Sequence, residues 1–377
     1  MNKYFKKDNK LIVLEYENGI VLPQKIVDDG PMWGLGGVCD KNNTFVEESF
    51  YDGGWATHGG GYVWDEEDYV NDDVVYIGMY FSHWGHFLID LSGRFWYLQQ
   101  LAKERCDFKV AYLGDEEPAG NYLKFFNLLG IAESQLYHVK KPTRFKKVLL
   151  PQQSFKSCDW YTDEFSKMFE GIYEAVLRLN GDLSTVKDLE KVYFTRRSFS
   201  KAVYSEFGEE FFERIFNHNG YKSVAPETLT LEEQIYLWNN VKEIVCINGT
   251  IPLNVMFSFN ENLKLTVLNK TSIFHENPYI LLQMRGIKAE FIDVYKEPFK
   301  NYPKSLGEGP YLLNCTEPFT DYCKKSNIDL FIAEKSTKKY FNKMKIKYFF
   351  AILALGRRLK NTVRKIVPRK LVLMIKH

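Results

Sequence analysis

The chain has 377 residues, enough for two domains of common size, and its 45% hydrophobic and 26% charged residues are the balance of a globular protein. Six scattered cysteines form no CxxC pair, which excludes a disulfide framework or a zinc site and reads as reduced thiols in a cytosolic chain. The net charge of +2 hides an imbalance: residues 338–377 carry 13 Lys and Arg and no Asp or Glu, so the rest of the chain stands at −11.

In chain order, the first 75 residues carry short β-like runs such as 10–15, with Gly34-Leu35-Gly36-Gly37 and Gly59-Gly60-Gly61 read as turns. No apolar segment follows the charges of the N-terminus, so no secretory signal is expected and a cytoplasmic location is. Glu66-Glu67-Asp68 and Asp72-Asp73 read as a solvated acidic loop, and 74–77 as the first buried strand. A helix is then predicted over 84–103. On it His86, Asp90 and Arg94 follow one another at i, i+4 and i+8, a stripe of proton acceptor, carboxylate and cation among Trp, Phe, Leu and Ile. Unpartnered buried polar groups are costly, so the stripe should face a cleft, with Trp84 and Arg94 on its acceptor side. The bland alternative is the wet face of an amphipathic helix. A third reading makes His83, His86 and Asp90 a metal triad.

Strands are expected at 109–113 and 147–150, and helices at 121–129 and 165–179. A linker at 181–185 precedes a regular alternation. Strands fall at 192–195, 222–224, 243–247, 264–268 and 289–293, and helices at 209–216, 251–257 and 278–284, with a further helix capped by Thr230. Thr230 with Glu233 is a capping box. The pattern predicts an α/β protein with two lobes: residues 1–180, then 181–300, a return segment 301–337, and a basic amphipathic tail 338–377. Two features of the second lobe suit a diphosphate. Arg196-Arg197 follows its first strand, and Asn248-Gly249-Thr250 opens a turn into a helix bearing Pro252 and Asn254. In the tail, apolar residues 348–355 and 371–375 lie between clustered cations, too short to span a bilayer but suited to its surface. The tail is expected to be an interfacial helix broken near Gly356 and Pro368, removable without loss of the body; the alternative is that residues 340–356 pack on the N-terminal lobe as a closing helix, whose removal would destabilise the body.

Together these pieces resemble glycosyltransferase family 61, which includes plant xylosyl- and arabinosyltransferases and bacterial capsule and exopolysaccharide enzymes. His86-Phe87-Leu88-Ile89-Asp90 matches its His-x3-Asp helix. Tyr193-Phe194-Thr195-Arg196-Arg197 matches its strand and Arg pair, and residues 225–234, ending in Glu232-Glu233-Gln234, its Pro-Glu … Glu-Gln segment. Residues 248–254 match its His-Gly-Ala … Asn turn, with Asn248-Gly249-Thr250 replacing His-Gly-Ala. The resemblance covers roughly residues 74–295. It implies a GT-B-like fold of two Rossmann-like lobes facing a cleft, and an inverting transfer needing no metal or other cofactor. The donor would be a nucleotide sugar such as a UDP-sugar. The acceptor would be a polysaccharide or lipid-linked oligosaccharide at the inner face of the cell membrane, with no nucleic-acid partner. It further implies a catalytic group of His86, Asp90 and His83, the base being either His86 or Asp90. Donor binding would fall to Arg196, Arg197, Asn248, Gly249, Thr250, Asn254, Glu233 and Gln234. An inactive sugar- or lipid-binding scaffold of the same fold is the alternative to an enzyme.

Overall fold

The computed structural model describes residues 5–179 and 183–366, without side-chain detail at 201, 203 and 357–366. Part of the predicted linker, at 181–182, lies outside the described residues.

The N-terminal half is built on a seven-stranded mixed sheet. Its spatial order is Leu35–Cys39, Ile20–Lys25, Thr143–Pro151, Asp68–Met79, Phe108–Leu113 and Leu136–His138, with Val13–Glu17 also pairing Thr143–Pro151. The last four strands of the order run parallel, and the others pair antiparallel. The Asp68–Met79 strand is longer than its apolar run, and here the sequence reading is corrected. Residues 68–73 are not a loop but the first half of that strand, where Asp73 pairs Arg105 at 2.6 Å instead of facing water. The glycines read as turns are also corrected in part, because Leu35–Cys39 is a strand bridged at Gly36 to Gly60.

The second half holds a five-stranded, fully parallel sheet in the order Lys222–Val224, Lys191–Phe194, Glu243–Ile247, Lys264–Asn269, Ala289–Asp293. In chain order this is 2-1-3-4-5, a doubly wound arrangement whose direction reverses between the first and third strands. Its strands are apolar on both faces because both are covered. Ile244 and Cys246 join the core facing the first lobe, while Val245 and Ile247 join a second core on the far side. The capping box is present: Thr230 Oγ1 accepts the Glu233 N–H at 3.2 Å, and Glu233 accepts the Thr230 N–H at 2.8 Å.

One apolar cluster passes from the first sheet (Val74, Val110, Leu150) through helix Asp163–Arg178 (Phe165, Phe169, Ile172) into the second half (Phe194, Ile235, Ile244, Leu281). Polar ties reinforce it. Arg285 donates to Met256 O at 2.7 Å and to Ser166 Oγ at 2.9 Å, and Asn277 donates to Ser157 Oγ at 2.8 Å.

The tail also departs from expectation. Glu334–Ile366 is one helix that runs through Gly356 without a break and starts ahead of residue 338. Its Phe341, Met344 and Tyr348, at i, i+3 and i+7, are buried in the second lobe against Phe211 and Leu312. Removing it would open that core, so the idea of a dispensable tail is withdrawn. The predicted break at Pro368 and apolar stretch at 371–375 lie outside the described residues. Among the described residues no helix is long and apolar enough to cross a membrane.

Candidate functional site

The segment predicted as a regular helix over 84–103 is broken into pieces. A short turn at Trp84–His86 passes into a π-turn at Phe87–Leu91, a 3₁₀ turn at Ser92–Arg94 and an α-helix at Trp96–Glu104. Ser92 and Gly93 give a local cause. The Ser92 hydroxyl donates to Leu88 O at 2.7 Å, a back-bond that competes with the helical ladder and bends it. π-turns in helices recur at functional sites.

The break decides which of these polar residues stay together. His86 and Asp90 stay together, with His86 Nδ1 2.8 Å from Asp90 Oδ2. The other oxygen, Oδ1, accepts from Tyr51 Oη at 2.7 Å and from Trp55 Nε1 at 3.1 Å. A carboxylate only accepts, so His86 Nδ1 must carry a proton, and in the neutral imidazole Nε2 keeps the lone pair. Asp90 has no exposed side-chain surface, whereas the His86 side chain is 31% exposed. Burial and the neighbouring Asp90 charge push the Tyr51 phenol pKa upward, which keeps it a donor.

Arg94 does not reach the cleft. It turns inward, fully buried, and donates to the carbonyls of Pro151 and Glu48; burial draws its pKa down to about 10. The acceptor-side role expected of it is corrected accordingly. His83 caps the first turn, its ring nitrogen accepting the His86 N–H at 3.4 Å with the two rings 4.3 Å apart. Trp84 is not an open platform: its indole N–H donates to Asn254 Oδ1 at 2.9 Å, tying the first lobe to the second. Beside it, a Cβ on Gly85 would stand 3.2 Å from Thr250 Oγ1, so a larger residue would press on the opposite lobe. His275, on the loop after strand Lys264–Asn269, lies within electrostatic reach of His86 and Asp90. Burial lowers its pKa, and the charge of Asp90 partly offsets this. Among the described residues no three His, Cys, Asp or Glu side chains converge as a metal site, so the His83/His86/Asp90 triad is not supported.

The second part of the site lies where the strand order reverses, the crevice in which doubly wound sheets bind ligands. Thr195-Arg196 leaves the first strand and Asn248-Gly249-Thr250 leaves the third. Arg196 Nε donates to both oxygens of Glu206 at 3.1 and 2.9 Å, and Lys270 Nζ donates to Glu206 Oε1 at 2.7 Å. A Cβ built on Gly249 (φ +151°) would stand 3.6 Å from Lys270 Nζ and 3.9 Å from Arg196 Nη1. Two cations therefore border the glycine turn with the Glu206 carboxylate between them. Burial opposes ionisation of Glu206, but Lys270 and Arg196 hold its carboxyl below the usual range. Asn248 is buried and donates to Asn269 Oδ1 at 3.1 Å, and among the described residues its own Oδ1 has no hydrogen-bond partner. Asn254 is buried and donates to Ile251 O.

Three expected donor ligands are engaged elsewhere. Arg197 pairs Glu213 at 2.5 Å and Glu210 at 4.0 Å on helix Glu209–His218. Glu233 is held by the Thr230 cap and the Thr185 hydroxyl, and Gln234 donates to Pro226 O at 3.1 Å. Four site residues were absent from the sequence reading: Tyr51, Trp55, Lys270 and His275. Only Lys270 carried a usable signal, as the first residue after a parallel strand.

Glu209 underlies this region, accepting the Arg196 N–H at 2.7 Å. Burial, helped by the charge of Glu206, raises its pKa from 4.5 to about 7. The folded state thus binds this proton more tightly than the unfolded chain. Its stabilisation is complete below about pH 4.5 and lost as pH rises through about 7. Glu209→Gln is expected to flatten the fall in stability over that window, measured by urea unfolding at pH 5 and pH 8. The same fall in both proteins would count against it.

No curated protein matches the chain. A family model does: Glycosyltransferase 61, over residues 84–266, a little under half of the chain. The match opens at Trp84, two residues before His86, and spans the Arg196 and Asn248-Gly249-Thr250 turns, so over this segment the chain is similar to the glycosyltransferases of family 61.

Proposed function

We propose that the protein is an inverting glycosyltransferase with a GT-B-like arrangement. It would transfer a sugar from a nucleotide-sugar donor to a polysaccharide or lipid-linked oligosaccharide in capsule or exopolysaccharide synthesis. The observation that carries the reading is the contact of Gly85 with Thr250, which brings the His86–Asp90 pair of one lobe against the cation-lined turn of the other. The acceptor hydroxyl attacks the anomeric carbon as His86 Nε2 takes its proton. The bond from that carbon to the diphosphate oxygen breaks with inversion. Asp90 orients the imidazole and balances its gained charge. Arg196 and Lys270 receive the charge that grows on the leaving diphosphate, and the backbone N–H groups after Gly249 add to them. No cofactor besides the donor is called for. Incubation with a panel of UDP-, GDP- and dTDP-sugars tests the reading. Neither transfer nor hydrolysis with any donor, alongside retained nucleotide binding, would favour the inactive scaffold.

The same reading seats the enzyme peripherally on the inner face of the cell membrane. Helix Glu334–Ile366 has a second apolar face, with Ile346, Phe350 and Leu353 exposed at 57%, 67% and 57% and spaced i, i+4 and i+7. Exposed Lys343, Lys345 and Lys347 border it. An apolar stripe between cations suits an anionic bilayer surface, each cation adding about 1 kcal/mol. Replacing all three apolar residues with serine is expected to abolish co-sedimentation with phosphatidylglycerol vesicles and leave the melting temperature unchanged. Undiminished sedimentation would remove the helix as the anchor.

A further inference from the structure

The hairpin Tyr51–Asp52 to Thr57–His58 lies outside the family-matched segment, yet it supplies two of the three hydrogen bonds that hold Asp90. Its tip is rigid: Gly53 N–H donates to Ala56 O at 2.9 Å, Gly54 N–H to Asp52 Oδ1 at 2.8 Å, and Asp52 pairs Lys156 at 2.9 Å. That tip carries Trp55, fixed on three sides. Its N–H goes to Asp90, its ring stacks on His86 at 4.8 Å and 26°, and Trp33 meets it edge-on at 5.3 Å and 80°. Trp33 is itself stacked on Tyr51 at 5.3 Å and 5°. In spite of these contacts 46% of Trp55 stays in solvent. Burying a tryptophan is favourable and its N–H is already satisfied, so an immobilised, half-exposed indole beside the base is suited to a ligand with an apolar face.

We propose that Trp55 is a stacking platform for the acceptor, and that it takes the sugar next to the one attacked. The C–H face of a pyranose, with its partial positive charge, packs on the negative face of an aromatic ring. The part of the indole left in solvent is not the part that covers His86. A sugar resting on the far face is set off from His86 by the 4.8 Å between the two rings and a further contact of roughly 3.5 Å. It therefore cannot offer its hydroxyl to Nε2, while its chain neighbour can. The site then selects an acceptor of two or more linked sugars over a monosaccharide. This rests on the reading of His86 as the base facing the acceptor.

Saturation-transfer NMR with lactose, cellobiose, maltose and chitobiose, against the methyl glycosides of their units, tests it on the full chain. At least one disaccharide is expected to bind more tightly than its monosaccharide units. Trp55→Ala should weaken that disaccharide about tenfold or more and the monosaccharides little. Trp55→Phe keeps the ring and should keep most of the disaccharide affinity, which separates the platform from the N–H bond to Asp90. Undiminished disaccharide binding in Trp55→Ala, or no disaccharide binding to the wild type, overturns the proposal. Donor turnover is read separately: its absence would sink the transferase reading and leave these binding results standing.

Discussion

Replacing His86 with alanine is expected to slow sugar transfer by about 10²- to 10⁴-fold, the size of a lost general base, while donor affinity stays near that of the wild type. The imidazole is partly exposed and its removal leaves no large cavity, so the variant should fold. Asp90→Asn is expected to be nearly as slow for a different reason. An amide cannot accept at every point where the carboxylate now does. One of the donors from His86, Tyr51 or Trp55 would face an N–H, and the imidazole would lose the partner that fixes its tautomer. Nucleotide release at saturating donor, with inhibitor-free binding titrations alongside, measures both. Transfer by His86→Ala within about tenfold of the wild type would remove the base assignment. A fast Asp90→Asn beside a slow His86→Ala would show that orientation by Asp90 is dispensable.

The second large effect concerns Glu206. It ion-pairs both Arg196 and Lys270, with Glu209 a weaker counter-charge beside them, and both Glu206 and Lys270 have side chains only 2% exposed. Glu206→Ala leaves buried positive charge without its ion-pair partner, a change that costs about 3–5 kcal/mol when one partner of a buried pair is deleted. Thermal unfolding should show a marked loss in the variant. A nucleoside diphosphate should raise its melting temperature more than that of the wild type, because the diphosphate then serves both as ligand and as the missing anion. Equal stability of the two proteins without nucleotide would contradict the buried-charge argument. Equal stabilisation by nucleotide would place the diphosphate away from Arg196 and Lys270.

The second lobe was legible in the sequence because its strands are short apolar runs between turn residues, and its helices open with signals such as Thr230 and Glu233. The five strand positions and the reversal point follow from that alternation, and Arg196 and Gly249 with them. The residues beside them were harder to judge. Arg196 and Arg197 are adjacent in the chain, and nothing local says that one borders the glycine turn while its neighbour is taken up by Glu213. Arg94 shows the same difficulty. Its spacing from Asp90 suggested a shared face, but the Ser92 back-bond and the π-turn rotate it into the interior. Tyr51 and Trp55 reach Asp90 from 39 and 35 residues away, through a hairpin with no periodicity to mark it. Acidic residues 68–73 hid half a strand, and the charge of Asp73 among them is met by Arg105 and Lys146, distant in the chain.

The uninterrupted apolar cluster from Val74 to Leu281 bears on how substrates come and go. Swinging the lobes apart would break that cluster together with the Trp84–Asn254 and Arg285–Ser166 ties, a cost on the scale of unfolding and not of a catalytic cycle. Traffic to the site is thus left to short segments at its mouth such as the loop bearing His275, while the hairpin bearing Trp55 stays in place. Rearrangement of such segments sets when the base is screened from water, and product release becomes a matter of loop timing and not of domain motion.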